Sequence, residues 1–225
     1  MLSAVMEDYL KAIYQIQAEE GTDRVRTSAI AEHLDVTPPT VTSMIEKLDD
    51  RGFIHREKYK GVALTQEGER VALEVIRHHR LLEAYLTEHL DYSWEEVHDE
   101  ADRLEHHISE DFEERVAAAL ENPHVDPHGA PIPGADLEAP EERVGSALTE
   151  FGEGATVVVR EVSDRDPEIL EYLADHGISP GTELEILEVA PFGMITARPE
   201  GRETSVSLPE RVARYVHVTT VAEAT

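Results

Sequence analysis

The 225-residue sequence predicts a mainly α-helical protein with a smaller β component. Three patterns predict it. Apolar residues recur at helical spacing through the first fifty positions and end in two short β-like runs. A long amphipathic stripe follows from Thr65 to about Leu90. From Gly154 onward the pattern becomes β-like and is broken by one short helix.

Taken in order, Val5, Met6, Tyr9, Leu10, Ile13 and Tyr14 form one helical stripe, with Ser3 placed to cap it and Glu7 and Asp8 near its positive end. Gly21 breaks that helix. Thr27 opens a short helix carrying Ile30, Ala31 and Leu34. Thr37 is an N-cap, with proline tolerated at the next position, for a third helix that turns Val41, Met44, Ile45 and Leu48 inward and stops at Gly52. Residues 53–56 and 62–64 read as two short strands around a turn at 58–61. Helix, short helix, turn, helix and β-hairpin make a winged helix-turn-helix. Ser93-Trp94-Glu95-Glu96 is a capping box for a helix after the long one, and another runs from about Ser109 to Asn122. Six of the thirteen residues 122–134 are Pro or Gly, so regular structure stops there. The acidic stretch 136–150 reads as a bridge. Runs at 156–159, 184–189, 194–197 and 216–218, with a helix at 167–176, suggest a small β-barrel.

Composition narrows the function classes. There are no cysteines, which excludes a disulfide framework, a thiolate metal site and a thiol nucleophile. No apolar run approaches the roughly 20 residues of a membrane span, and the first eight residues lack the basic-then-apolar order of a signal peptide. A soluble cytoplasmic protein without a membrane partner is expected. The formal charge is −28, but residues 1–70 hold 9 basic and 13 acidic side chains, against 5 and 21 in residues 71–150. Abundant acid with only four lysines suits a salt-loving cytoplasm, where the screening length falls to about 3 Å in molar salt. Disorder is the alternative, and the regular periodicity argues against it.

Two constellations carry chemistry. Arg51, Arg56, Lys58 and Lys60 make a local positive patch at the hairpin, as phosphate contact requires. Thr37, Pro39, Thr40, Thr42, Ser43 and Lys47 lie at or on the exposed face of the third helix, and small hydroxyls there suit close approach to base edges. A winged helix that binds protein is the rival reading. The second constellation is histidine: eight of twelve fall between residues 71 and 150. His79 and Glu83 are four residues apart on one helix, and His98, Asp102, Glu105 and His106 share one face of the next. Imidazole and carboxylate together can hold a divalent metal if other elements complete the shell. A solvated acidic face is the plain alternative.

Further blocks of sequence are Met6-Glu7-Asp8-Tyr9-Leu10, Glu57-Lys58-Tyr59-Lys60-Gly61, Leu64-Thr65, His79-Arg80-Leu81-Leu82-Glu83, Trp94-Glu95-Glu96-Val97-His98, Glu105-His106 and Asn122-Pro123 with Pro131-Ile132-Pro133-Gly134. In that order and spacing they resemble the DtxR/MntR family of metal-dependent transcriptional regulators over residues 1–134. The tail from about 150 looks like the FeoA-type domain of the family's longer members.

The resemblance implies a winged-helix DNA-binding domain at 1–65, a helical metal-binding and dimerisation domain at 66–135, a linker at 136–150 and a FeoA-like β-barrel at 151–225. It implies a homodimer on a palindromic double-stranded operator, repressing metal-uptake genes when metal is bound, with no small-molecule substrate. A primary metal site would use Asp8, Asp102, Glu105 and His106. An ancillary site would use His79, Glu83 and His98, with Glu161 and Asp164 from the barrel. Iron-type relatives have methionine and cysteine where this chain has Asp8 and Asp102. A further acid of manganese-type relatives aligns with Lys11. Three carboxylates, one imidazole and no sulfur suit Mn²⁺ first and Fe²⁺ second. An enzyme built on the same cluster would need a separate base or oxyanion element, and none is evident. A winged-helix regulator that senses another effector, independently of metal, is the remaining alternative.

Overall fold

The computed structural model describes residues 2–57, 60–139, 145–164 and 166–221. The chain splits into two compact units: residues 1–79 with 104–110 and 133–140, and residues 80–103 with 111–132 and 141–225.

The first unit starts with α1 (Ala4–Glu20), α2 (Thr27–His33) and α3 (Pro38–Asp50). Ser3 and Thr37 hold the N-cap positions of α1 and α3, but neither side chain bonds a backbone N–H. Thr37 instead shares a hydroxyl–hydroxyl bond of 2.8 Å with Thr40. Gly21 ends α1 in the left-handed conformation, as a C-cap glycine should. The wing is a two-stranded antiparallel ribbon of β1 (Ile54–Glu57) and β2 (Gly61–Leu64). Val25 adds a third rung, its N–H and C=O both bonded to Val62 at 2.8 and 2.9 Å. Gly61 makes that approach possible: its φ is +97°, and a Cβ there would sit 2.3 Å from the Val25 carbonyl oxygen. Met6, Tyr9, Leu10 and Ile13 of α1, Ile30 of α2, and Val41, Ile45 and Leu48 of α3 bury one shared core. Full burial of each such aliphatic chain contributes about 1.5–3 kcal/mol before entropy is counted.

The long helix α4 (Gln66–Leu90), α5 (Val97–Leu104) and α6 (Glu110–Ala119) follow. In the second unit Leu81 packs with Val116, Ala117, Leu120 and Ile132. The capping box before α5 forms only in part: Ser93 Oγ donates to Glu96 Oε2 at 2.8 Å, but the helix begins after a turn, at Val97. The C-terminal part is a six-stranded antiparallel sheet in the order β3-β8-β4-β5-β6-β7. Its strands are β3 (Ser146–Ala147), β4 (Thr156–Val162), β5 (Glu183–Ala190), β6 (Met194–Pro199), β7 (Val206–Leu208) and β8 (Val216–Thr220). The helix α7 (Pro167–Asp175) is capped by the Asp166 carboxylate, which accepts from the N–H groups of Glu168 and Ile169. Leu170 and Leu173 of α7 lie in the sheet's core with Leu148, Val157, Val159 and Ile178. A short helix, α8 (Glu210–Ala213), precedes β8. No helix among the described residues is long and apolar enough to cross a membrane.

Candidate metal centres

The first cluster lies wholly in the first unit. Asp8 sits in the first half of α1, while Glu105 and His106 form the turn that ends α5. His106 Nε2 is 2.8 Å from Asp8 Oδ1 and 3.3 Å from Glu105 Oε1, and His106 Nδ1 is 2.7 Å from Glu7 Oε2. With carboxylates on both nitrogens, and the Asp8 hydrogen bond foremost, the imidazole is held protonated and its pKa is raised to about 9. Glu105 is nearly inaccessible. Its Oε2 accepts from Lys11 Nζ at 2.7 Å and from His79 Nδ1 at 2.6 Å. Burial alone would raise the Glu105 pKa, but the His79 hydrogen bond and the Lys11 charge outweigh burial and hold it below the usual carboxylate range. Asp8, Glu105 and His106 bring one ligand atom each to within 4.8 Å of one another.

The second cluster lies in the second unit. Glu83 on α4 has a fully buried carboxylate. His98 on α5 places Nδ1 3.2 Å from Glu83 Oε1 and 3.4 Å from Asp164 Oδ2, just beyond β4. A loop delivers two further groups. Asp126 Oδ1 accepts from the backbone N–H groups of His128 and Ala130 at 2.8 and 2.9 Å, folding residues 126–130 into a tight turn. The turn is tied to β4 by a Val162 N–H bond to the His128 carbonyl, 2.9 Å. Gly129 permits this packing: φ is +88°, and a Cβ would fall 1.9 Å from the Arg160 carbonyl oxygen. Trp94 Nε1 donates to the Pro127 carbonyl at 2.9 Å, and His128 Nε2 donates to the Trp94 carbonyl at the same distance. His128 Nδ1 is thereby turned toward Glu83 Oε2, 3.6 Å away. Asp126 Oδ2 faces Arg80 Nε, also at 3.6 Å.

These inner atoms test whether a cation fits. Among the described residues, Asp126 Oδ2 and His128 Nδ1 are buried side-chain atoms whose nearest charged partners, Arg80 and Glu83, stand off at 3.6 Å, beyond ordinary hydrogen-bond length. Buried polar atoms cost free energy unless something satisfies them. Glu83, Asp126 and His128 bring ligand atoms to within 4.8 Å of one another. Two carboxylates and an imidazole held so close fit a divalent cation. Charge crowding shows in the proton affinities. Burial, reinforced by the Glu83 charge, pushes Asp126 up to about 7. For His128 burial acts to lower the pKa, but the nearby Glu83 carboxylate prevails and raises it to about 9.

Of the residues expected to bind metal, Asp8, Glu105 and His106 come together, as do Glu83, His98 and Asp164. His79 lies in the first unit on Glu105, one turn before Glu83 along α4. Asp102 lies in the second unit, half exposed, with Oδ2 3.7 Å from His98 Nε2. Glu161 is buried in β4 opposite His217 in the strand register. Sequence reasoning missed Glu7, Asp126 and His128. The one available signal for the last two was an acid and a histidine two residues apart in a Pro/Gly-rich segment.

The expected DNA face is exposed. Thr37, Pro39, Thr40, Thr42, Ser43, Lys47, Arg51, Arg56 and Lys60 are all solvent-accessible, and Lys58 lies outside the described residues. Several basic groups are engaged by acids or by sulfur: Arg56 with Glu46 at 3.0 Å, Lys60 with Glu57 at 2.6 Å, and Arg51 with Met6 Sδ at 3.4 Å.

Residues 1–62 match the profile described as "Iron dependent repressor, N-terminal DNA binding domain". Residues 65–134 match "Iron dependent repressor, metal binding and dimerisation domain", and residues 147–220 match "FeoA domain". The iron-dependent repressor IdeR of Mycobacterium tuberculosis (strain ATCC 25618 / H37Rv) is 37% identical over 223 residues, covering 94% of this chain and 95% of the relative. This chain belongs to the iron-dependent repressor family. The diphtheria toxin repressor of Corynebacterium glutamicum is 33% identical over 221 residues, 94% of each chain. A solved structure described as a manganese-dependent transcriptional repressor in complex with manganese superposes with a TM-score of 0.88 at 38% identity, covering 96% of this chain and all of that one. The family is one of DNA-binding transcriptional repressors, not of enzymes. Its iron- and manganese-dependent members both resemble this repressor-family chain over nearly its full length.

Proposed function

We propose that this protein is a metal-dependent transcriptional repressor that binds operator DNA as a homodimer when Mn²⁺, or secondarily Fe²⁺, is bound. The observation that carries this reading is the pair of buried, hydrogen-bond-poor atoms, Asp126 Oδ2 and His128 Nδ1, beside the buried Glu83 carboxylate. Membership of a family whose profiles are described as DNA-binding and as metal-binding and dimerising supports it. Asp8, Glu105 and His106 would hold one ion. Glu83, Asp126 and His128, with His98 and Asp164 beside them, would hold another. The set expected from the sequence, His79, Glu83 and His98 with Glu161 and Asp164, shares Glu83, His98 and Asp164 with this one. The donors are oxygen and imidazole without sulfur, which favours Mn²⁺ and Fe²⁺ over softer ions.

When bound, the ion supplies a fixed double positive charge that replaces protons and mobile water. The protein supplies the coupling. Asp8 is on α1, and α1 shares its core with α2 and α3. Fixing Asp8 to the Glu105–His106 turn therefore restrains the body that presents Thr40, Thr42, Ser43 and Lys47. A cation that binds the DNA-competent arrangement more tightly shifts the population toward it. Dimer symmetry then matches a palindromic operator, and Arg56, Lys58 and Lys60 of the wing meet phosphate. We further take the C-terminal sheet to close as a small barrel, and the domain limits to be 1–65, 66–135 and 151–225.

The test is fluorescence anisotropy with DNA from upstream of the protein's own gene, in concentrated KCl. Chelator, Mn²⁺ and anaerobic Fe²⁺ are compared. Binding that needs metal, and that is lost in both His106→Ala and Asp126→Ala, is expected. Equal binding under chelator would overturn the reading and favour a different effector.

A further inference from the structure

Arg24 lies in the loop between α1 and α2, one residue before Val25, which pairs with Val62 of the wing. Its guanidinium reaches the turn end of the wing, where Nη2 is 3.1 Å from Oε2 of Glu57, the last residue of β1. The other oxygen, Glu57 Oε1, is 2.6 Å from Lys60 Nζ. One carboxylate thus carries two cations, one on each oxygen. The side chains of Arg24, Glu57 and Lys60 are 35%, 42% and 67% exposed, and ion pairs this open to water are weak and exchange easily. They are not needed to seat the wing. Val25 and Val62 exchange two backbone hydrogen bonds, and the Lys60 N–H bonds the Glu57 carbonyl at 3.1 Å. Nor do they satisfy Arg24: among the described residues its Nη1 is buried with no hydrogen-bond partner. Two cations around one acid leave the cluster net positive in a chain of formal charge −28.

We propose that Arg24 and Lys60 form a two-cation clasp for one DNA backbone phosphate, and that the Glu57 carboxylate occupies the clasp until DNA displaces it. The inference rests on the reading that the wing meets phosphate. It adds to the DNA face Arg24, which belongs neither to the third helix nor to the hairpin. A guanidinium fork fits the oxygens of a carboxylate and of a phosphodiester alike. The anion held by the free chain therefore marks where the other anion goes. Two anions cannot share the clasp, because at a few ångströms they repel. Phosphate enters as Glu57 swings out, and drawing Arg24 outward brings Nη1 within reach of water or phosphate. Glu57 is then an internal competitor. It lowers affinity for every DNA sequence alike, since phosphate contacts carry no base identity.

The experiment is fluorescence anisotropy on the full chain with saturating Mn²⁺, at the lowest KCl that keeps it folded by circular dichroism, so that screening is least. The probes are DNA from upstream of the protein's own gene and an unrelated duplex of equal length. Arg24→Gln should weaken both complexes about fivefold, and Glu57→Gln should strengthen both about as much, the size expected of one charge contact near water. Arg24→Lys keeps the charge and should lose less than Arg24→Gln. Glu57→Gln changes a half-exposed side chain and carries the test if an Arg24 variant does not fold. A scan of single methylphosphonate linkages, each removing one phosphate charge, then locates the clasp. Among the linkages whose neutralisation weakens the wild-type complex, one per half-site should lose that effect in the Arg24→Gln, Lys60→Gln double variant. The same linkage should show a larger effect in Glu57→Gln. Unchanged affinity for Arg24→Gln, weaker binding by Glu57→Gln as a mere brace would give, or an unaltered set of sensitive linkages in the double variant would overturn the inference. Arg56→Ala separates the two readings. If it weakens binding while Arg24→Gln does not, only the clasp falls. If neither matters, the wing does not meet DNA, and that reading falls with it.

Discussion

Between pH 7 and pH 9 the affinity of both centres for a divalent cation should rise, because each must release a proton from an imidazole before that nitrogen can bind. His106 has carboxylates on both ring nitrogens, at 2.7 and 2.8 Å, and its pKa is raised to about 9. A raised value means that the proton is held below pH 9 and lost above it, so competition with the cation fades as pH climbs. Two pH units below that value about one imidazole in a hundred is neutral, which costs about 2.7 kcal/mol of apparent affinity. Asp8 is 41% exposed, and water around it weakens the attraction, so the rise to expect is about tenfold to hundredfold. The second centre moves the same way, with His128 raised to about 9 and Asp126 to about 7. Anaerobic calorimetric titration with Mn²⁺ at pH 7, 8 and 9, in buffers of different ionisation heat, reads both affinity and protons. About one proton released per ion near pH 7 is expected. Flat affinity across that range, or no proton release, would refute the reasoning.

Other consequences follow from particular contacts. Asp126→Asn keeps an oxygen for the His128 and Ala130 N–H groups but loses the anionic donor. Dialysis should show one Mn²⁺ fewer per subunit, while urea denaturation in chelator shows a stability change within about 1–2 kcal/mol. Gly129→Ala places a methyl 1.9 Å from the Arg160 carbonyl oxygen at a positive φ, and should destabilise by about 1–3 kcal/mol from backbone strain alone, more with the clash, by the same denaturation assay. Leu170→Ala empties a fully buried position under the sheet and should cost about 2–5 kcal/mol. Arg56→Ala should weaken DNA binding nearly equally across sequences and reduce the slope of log affinity against log salt by about one, read by anisotropy over a KCl series.

The N-terminal elements were legible because local and global signals agree there. The stripe Met6, Tyr9, Leu10 and Ile13 predicts both a helix and its buried face, and the structure buries those residues. The hairpin strands and α4 fall close to where periodicity places them. The strands β3 and β7 escaped notice: they span two and three residues, too few for alternation to register, and exist through pairing with β8 and β6. The metal ligands divide in the same way. Proposed ligands at helical spacing, such as His98 and Glu105, announce themselves by period. Asp126 and His128 do not, because their convergence on Glu83 depends on a turn closed by Asp126 itself and seated against β4. Lys11 could be seen in the sequence only as a missing acid. That its ammonium lies on the Glu105 carboxylate is a tertiary fact.

The central claim is that two groups of side chains hold divalent cations. The most direct measurement is anomalous diffraction at the manganese absorption edge from crystals of the full chain grown with Mn²⁺. The account predicts two peaks per subunit, one among Asp8, Glu105 and His106 and one among Glu83, Asp126 and His128. Peaks elsewhere, or none at these groups at saturating Mn²⁺, would contradict it.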